Sequence, residues 1–112
     1  MTSEIDMTTF QTLKEVSGED FIGELINTFL EDAPRLISEM KSALSASDAD
    51  AFRRAAHSFK SNSATFGANR LSELARELEM IGKENKLGEA GGRLTALEQT
   101  YQSAAKELTG LK

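Results

Sequence analysis

The chain is 112 residues long, with 39% hydrophobic and 28% charged residues, which predicts one folded domain spanning residues 1–112. Its formal net charge of -5 argues against a nucleic-acid binder, because phosphate backbones are held mainly by clustered lysine and arginine side chains. With no cysteine and a single histidine, the sequence excludes disulfides, thiolate zinc sites and multi-histidine metal sites.

The first half of the chain predicts two helices. Thr8 and Gln11 have the spacing of a capping box, and the short helix that they begin should end at Gly18. A longer helix follows, in which apolar residues recur at helical spacing. Because proline removes a backbone donor and clashes with the preceding turn, we expect a kink or a short break between Asp32 and Pro34.

A third helix is expected from the cap candidates Ser47 and Asp48 to about Phe66. Gly67 fits a left-handed residue at its carboxyl end. Asn69 is the predicted cap of a fourth helix, whose apolar stripe is interrupted from residue 82 to residue 88 by a stretch rich in glycine and lysine. That stretch predicts the next turn.

The last helix should carry an apolar stripe from Leu94 to Leu108 and fray near Gly110. Alanine, leucine, glutamate and lysine are abundant, which favours helix over strand. We therefore predict an all-α fold, an antiparallel up-down-up-down four-helix bundle with the short first helix across one end. Apolar runs of at most two residues leave no room for a membrane span, so a cytoplasmic protein is expected. We also expect a monomer.

The single histidine lies off the core face of the third helix. At about 100° per residue, His57 projects roughly 140° away from Phe52 and should face water. Its helical neighbours are two cations, Arg53 and Lys60, and two small residues, Ser61 and Ala64. The core face itself comprises Phe52, Ala55, Ala56, Phe59, Ser63 and Phe66.

This surface suits a phosphoryl group carried on the imidazole. Such a group has about two negative charges, which Arg53 and Lys60 could stabilise. A hydrolase that uses His57 as a general base is a weaker hypothesis, because the same helix offers no carboxylate one turn away and Asp50 is the nearest. From the residues alone, an exposed histidine among lysine and arginine is also an ordinary solvated surface.

The segment from His57 to Gly67 reads HSFKSNSATFG and resembles the signature of histidine-containing phosphotransfer (HPt) domains. That signature has the histidine, any residue, an apolar residue, a lysine and a small residue, with a glycine ten positions after the histidine. Alanines on both sides of the segment and the sequence FLEDAP at residues 29–34 also look like the family. Ser61 departs from the commonest form, which has glycine there.

The resemblance implies a two-component phosphorelay. A receiver-domain aspartyl phosphate would pass its phosphoryl group to Nε2 of His57, and a second receiver aspartate would remove it. Lys60 would stabilise the phosphoryl oxygens with help from Ser61 and Arg53, and Gly67 would end the helix. The chain would hold no metal or other cofactor, since the magnesium ion belongs to the receiver, and it would be a carrier without autonomous kinase activity.

We expect the receiver to dock over Ser58 and Ala64, beside the histidine. Exposed apolar residues of the first two helices, such as Phe10, Leu13, Val16 and Ile22, would extend that surface. The alternative function is a helical interaction module that binds a receiver or a kinase without accepting phosphate.

Overall fold

A computed structural model describes residues 3–112, and within that range the secondary structure is entirely helical. Its elements are α1 (Met7–Ser17), α2 (Glu19–Ser45), α3 (Ala49–Thr65), α4 (Asn69–Lys83) and α5 (Gly91–Leu111), with a single 3₁₀ turn over Leu87–Glu89. Helices α2 to α5 pack in sequence, α5 also contacts α2, and α1 packs against α2 and α3. The predicted fold class, a four-helix bundle with a short additional helix, is therefore confirmed.

The observed helix caps match the predicted ones only in part. Asp48 caps α3 as predicted, but α1 begins earlier than Thr8 because Asp6 accepts hydrogen bonds from the first free N–H groups of the helix. The prediction that Asn69 caps α4 is wrong, since Ala68 occupies that position and makes no side-chain bond. The Asn69 amide instead donates to the Asp6 carboxylate across 3.4 Å.

The predicted break near Pro34 is also wrong, because α2 is continuous from Glu19 to Ser45. Proline lacks an N–H group and so removes one helical hydrogen bond. Pro34 is exposed, whereas its neighbours Ala33, Leu36 and Ile37 are buried. Burial of these flanking side chains stabilises the helix across Pro34. Of the predicted kink or break, only a kink within a continuous helix is compatible with the structure.

The second half of the bundle extends two helices beyond their predicted ends. Gly82 belongs to α4, which reaches Lys83 and shortens the expected turn. Similarly, α5 continues through Gly110 to Leu111, whose side chain packs against the core. None of the helices within residues 3–112 is both long enough and apolar enough to span a membrane.

One hydrophobic core occupies the bundle interior. Four aromatic rings, Phe29, Phe59, Phe66 and the partly buried Tyr101, form a cluster in which neighbouring centroids lie 5.2 to 6.4 Å apart. All six residues predicted for the core face of α3 are buried, so the orientation assigned to this helix is confirmed.

Gly67 ends α3 in the predicted left-handed conformation, with φ of 77°. The amino-terminal segment crosses over it, and the Asp6 N–H donates to the Gly67 carbonyl across 2.8 Å. A Cβ atom at Gly67 would lie only 2.8 Å from the Asp6 carbonyl oxygen. Two separate reasons therefore favour glycine at this position: the positive φ angle, and the close approach of the Asp6 carbonyl, which leaves no space for a Cβ atom.

Candidate functional site

His57 lies on the outer face of α3, and its side chain is 55% exposed. The prediction that the ring faces water is therefore confirmed. Ser58, Ser61 and Ala64 are exposed on the same helix, and none of them is large. The ring consequently stands above a low surface that a second protein can approach closely.

A carboxylate from the neighbouring helix holds the imidazole. Glu79 of α4 places Oε2 at 2.8 Å from Nδ1 of His57 and Oε1 at 2.6 Å from Nζ of Lys60. The Glu79 side chain is only 16% exposed, so both contacts are partly shielded from water. One carboxylate thereby joins the histidine and the lysine into a single site.

Glu79 is the functional residue that the sequence did not reveal. It lies 22 residues after His57, on another helix, so no spacing rule within α3 could find it. The only available signal is its position beside Leu78 on the apolar stripe of α4, which places a carboxylate at the edge of a packed helix face. Identifying it requires the register between α3 and α4.

The environment of Glu79 favours its ionised form. Partial burial raises the pKa of this carboxyl, but hydrogen bonds from Lys60 and His57 and the charge of Lys60 outweigh burial and lower the pKa below its ordinary value. An ionised carboxylate can only accept hydrogen bonds, so it selects the neutral tautomer with the proton on Nδ1 of His57. That tautomer leaves the lone pair, and hence the nucleophilic character, on Nε2.

Lys60 lies on the same side of the bundle as the histidine, as the sequence predicted, and it reaches the site through Glu79. Its side chain is 28% exposed. The Ser72 hydroxyl of α4 donates to the Lys60 carbonyl across 3.1 Å, which ties the backbone of α3 to α4 at this level.

Arg53 is directed to a different partner. Its guanidinium donates to Oδ1 of Asp50 across 2.9 Å, while Arg54 contacts Oδ2 of the same carboxylate at 3.2 Å. The hydrogen bond from Arg53 and the charge of Arg54 lower the pKa of Asp50. Asp50, the carboxylate nearest to His57 on α3, therefore pairs with Arg53 and Arg54.

The prediction that Phe10 and Ile22 are exposed on the first two helices is wrong. Phe10 and Ile22 are 1% and 3% exposed and belong to the core, and Leu13 is half-buried against it. Val16 and Phe21, at the junction of α1 and α2, are instead 81% and 48% exposed. An amphipathic pattern does not say which apolar residues of a short helix remain outside when it packs, which is why the sequence misassigned them.

An open groove of about 790 Å³ runs between α2 and α3 on the side of Ser58. Its walls include the small side chains of Ala51 and Ala55, and Arg35 and Arg54 line it as well. Across residues 3–112, no group of three or more histidine, cysteine, aspartate or glutamate side chains is arranged to hold a metal ion.

The fold and the site define a class of protein: a helical bundle that presents one oriented, partly exposed histidine to other proteins. The chain belongs to the Hpt domain family, whose model matches residues 24–107. It is thus a phosphotransfer domain of two-component phosphorelays, a phosphocarrier rather than an autonomous kinase.

A solved relative supports the assignment over the whole bundle. The chain is similar to the crystal structure of histidine-containing phosphotransfer protein B (HptB) from Pseudomonas aeruginosa PAO1, with a TM-score of 0.93 and 29% sequence identity. The alignment covers 98% of this chain and 95% of that one. The comparison with curated protein sequences returns no match.

Proposed function

We propose that this domain is a phosphorelay intermediate that accepts a phosphoryl group on Nε2 of His57 from a receiver aspartyl phosphate and passes it to the aspartate of another receiver. The observation that carries the proposal is the 2.8 Å contact between Nδ1 of His57 and the Glu79 carboxylate. It keeps the proton on the inner nitrogen of a half-exposed ring, so the outer nitrogen is free to attack.

The transfer balances without any further reactant. The lone pair of Nε2 forms the new N–P bond, the P–O bond to the receiver aspartate breaks, and the aspartate leaves as a carboxylate. The ring gains a positive charge in this step. Glu79, in contact with the opposite nitrogen, stabilises that charge or takes the Nδ1 proton.

The cations beside the ring act after the phosphoryl group arrives. Lys60 is held by Glu79 in the resting site, and a phosphoryl group on His57 offers it an acceptor with more negative charge. The Ser61 hydroxyl supplies an additional donor. Arg53 can join only by leaving Asp50, so it contributes less. The magnesium ion is supplied by the receiver.

The receiver docks on the surface around His57. Ser58 and Ala64 let it approach the ring, and the groove between α2 and α3 offers a concave surface next to Ser58. Val16 and Phe21 extend the contact as exposed apolar residues, in place of the buried pair predicted from the sequence. The domain acts as a monomer in the cytoplasm, where it meets its receivers.

The test is transfer from a receiver labelled with radioactive phosphate. We expect label on this chain that is stable to base and labile to acid, and that moves on to a second receiver. The His57→Gln variant should bind the receiver and stay unlabelled. Receiver binding without transfer by the wild-type chain would favour the interaction module, and label on the variant would contradict the assignment of His57.

A further inference from the structure

A seam of small residues joins α3 to α4. Small side chains recur at every seventh position on each helix, a spacing that keeps them on one face. The members of this α3–α4 seam are Ala49, Ala56 and Ser63 on α3, Ala68 at the cap position of α4, and Ala75 and Gly82 on α4. All are buried except Ala49, which is half-buried.

The two backbones approach closely along this seam. At one end, a Cβ atom on Gly82 would lie 3.0 Å from both Cβ and N of Arg53 and 3.1 Å from the Ala49 carbonyl oxygen. Nearer the other end, the Ser72 hydroxyl of α4 donates directly to the Lys60 carbonyl of α3 across 3.1 Å. Of all helix pairs, α3 and α4 make the most extensive contact. Small residues at a contact place helix axes near the short end of the usual range of about 8–10 Å.

The phosphotransfer site lies directly beside this seam. His57 follows Ala56, and Glu79 lies between Ala75 and Gly82. Glu79 contacts two side chains of α3 at 2.6 and 2.8 Å, so an increase in helix separation of a few tenths of an ångström stretches both contacts and brings the one to His57 near the long end of the hydrogen-bond range.

We infer that the α3–α4 seam positions Glu79 against His57 and Lys60, and that Gly82 is a positioning residue for phosphoryl acceptance. The inference rests on the proposed function for its biological meaning, but its geometry can be tested without any phosphotransfer. Gly82 touches no reacting atom and acts only through the spacing of the two helices.

The test is to measure the tautomer of His57 in the Gly82→Ala variant. Because the chain has one histidine, nitrogen NMR reports the tautomer of this ring alone. We expect the ratio of the Nδ1–H to the Nε2–H tautomer to fall severalfold, toward the roughly tenfold change that complete loss of a hydrogen bond to a charged group would give. The matched control is Gly23→Ala in α2, where the new Cβ meets only Lys112 at an ordinary 3.7 Å and the tautomer ratio should not change.

A double-mutant cycle tests whether Gly82 acts through Glu79. Glu79→Gln alone should shift the tautomer by a similar factor, and adding Gly82→Ala to it should produce little further shift. Independent, additive shifts would overturn the inference. If Gly82→Ala does not fold, Ala75→Ser, which adds one atom at the centre of the seam, is measured in its place.

The outcomes separate this inference from the proposed function. A tautomer ratio in Gly82→Ala equal to that of the wild type overturns the positioning role even if phosphotransfer proceeds. A shifted ratio with a wild-type chain that accepts no phosphoryl group supports the positioning of Glu79 and overturns the proposed function instead.

Discussion

Replacing Glu79 by glutamine should slow phosphoryl uptake by His57 while leaving the helix packing intact. Glutamine has nearly the same size but no charge, and its amide has one oxygen to accept hydrogen bonds and one nitrogen that donates. It cannot accept from both His57 and Lys60 in the way that the carboxylate does. The ring then loses its preference for a proton on Nδ1, and a smaller fraction presents the lone pair on Nε2.

The expected magnitude follows from the contact that is lost. A hydrogen bond to a charged group contributes about 1.5–3 kcal/mol, and since the His57 ring is half-exposed, the lower end of that range applies. At about 1.4 kcal/mol for each factor of ten, uptake should slow about tenfold. Lys60, released from the carboxylate, remains free to stabilise the phosphoryl group, so the phosphorylated form should persist for longer.

The assay is a single-turnover transfer from phosphorylated receiver, measured over a range of domain concentrations to separate binding from transfer. Glu73→Gln is the matched control, because Glu73 is also a carboxylate of α4 paired with a cation, Arg76, but it is exposed and makes no contact with the histidine. Uptake by Glu79→Gln within twofold of the wild-type rate, with the ring still protonated on Nδ1, would refute the reasoning.

Four further predictions concern stability and docking. Gly67→Ala should lower the free energy of unfolding by more than about 2 kcal/mol, from the left-handed backbone and the overlap with Asp6, as measured by urea denaturation. Phe10→Ala should cost about 3–5 kcal/mol as a core truncation, whereas Phe21→Ala should weaken receiver binding in titration calorimetry with little loss of stability. The pKa of Glu79 is lowered from 4.5, so its contribution to stability is present above pH 4.5 and is lost as the pH falls through the lowered pKa. The free energy of unfolding of Glu79→Gln should therefore depend less on pH in that window, as measured by acid denaturation.

The sequence predicted well those features that depend on residues close together along the chain. The caps of α3, the left-handed Gly67 and the outward direction of His57 each depend on residues within one or two turns of helix. Pro34 shows where such reasoning fails, because the local cost of proline was weighed without the burial of the side chains around it.

The misassigned docking residues have a similar origin. Phe10 and Ile22 read as members of apolar stripes, and a stripe indicates one face of a helix without indicating how that face packs. Only the packing of α1 against α2 and α3 buries these two side chains and leaves Val16 and Phe21 outside.

The sequence by itself determined the helical class, the bundle, the exposure of the single histidine and the lysine one turn away, because helical periodicity relates residues that are close along the chain. Only the tertiary structure decided that Glu79 contacts the imidazole, that the same carboxylate binds Lys60, and that Arg53 pairs with Asp50. These contacts depend on the separation and register of α3 and α4, which result from side chains packing across two helices and leave no spacing pattern within either one.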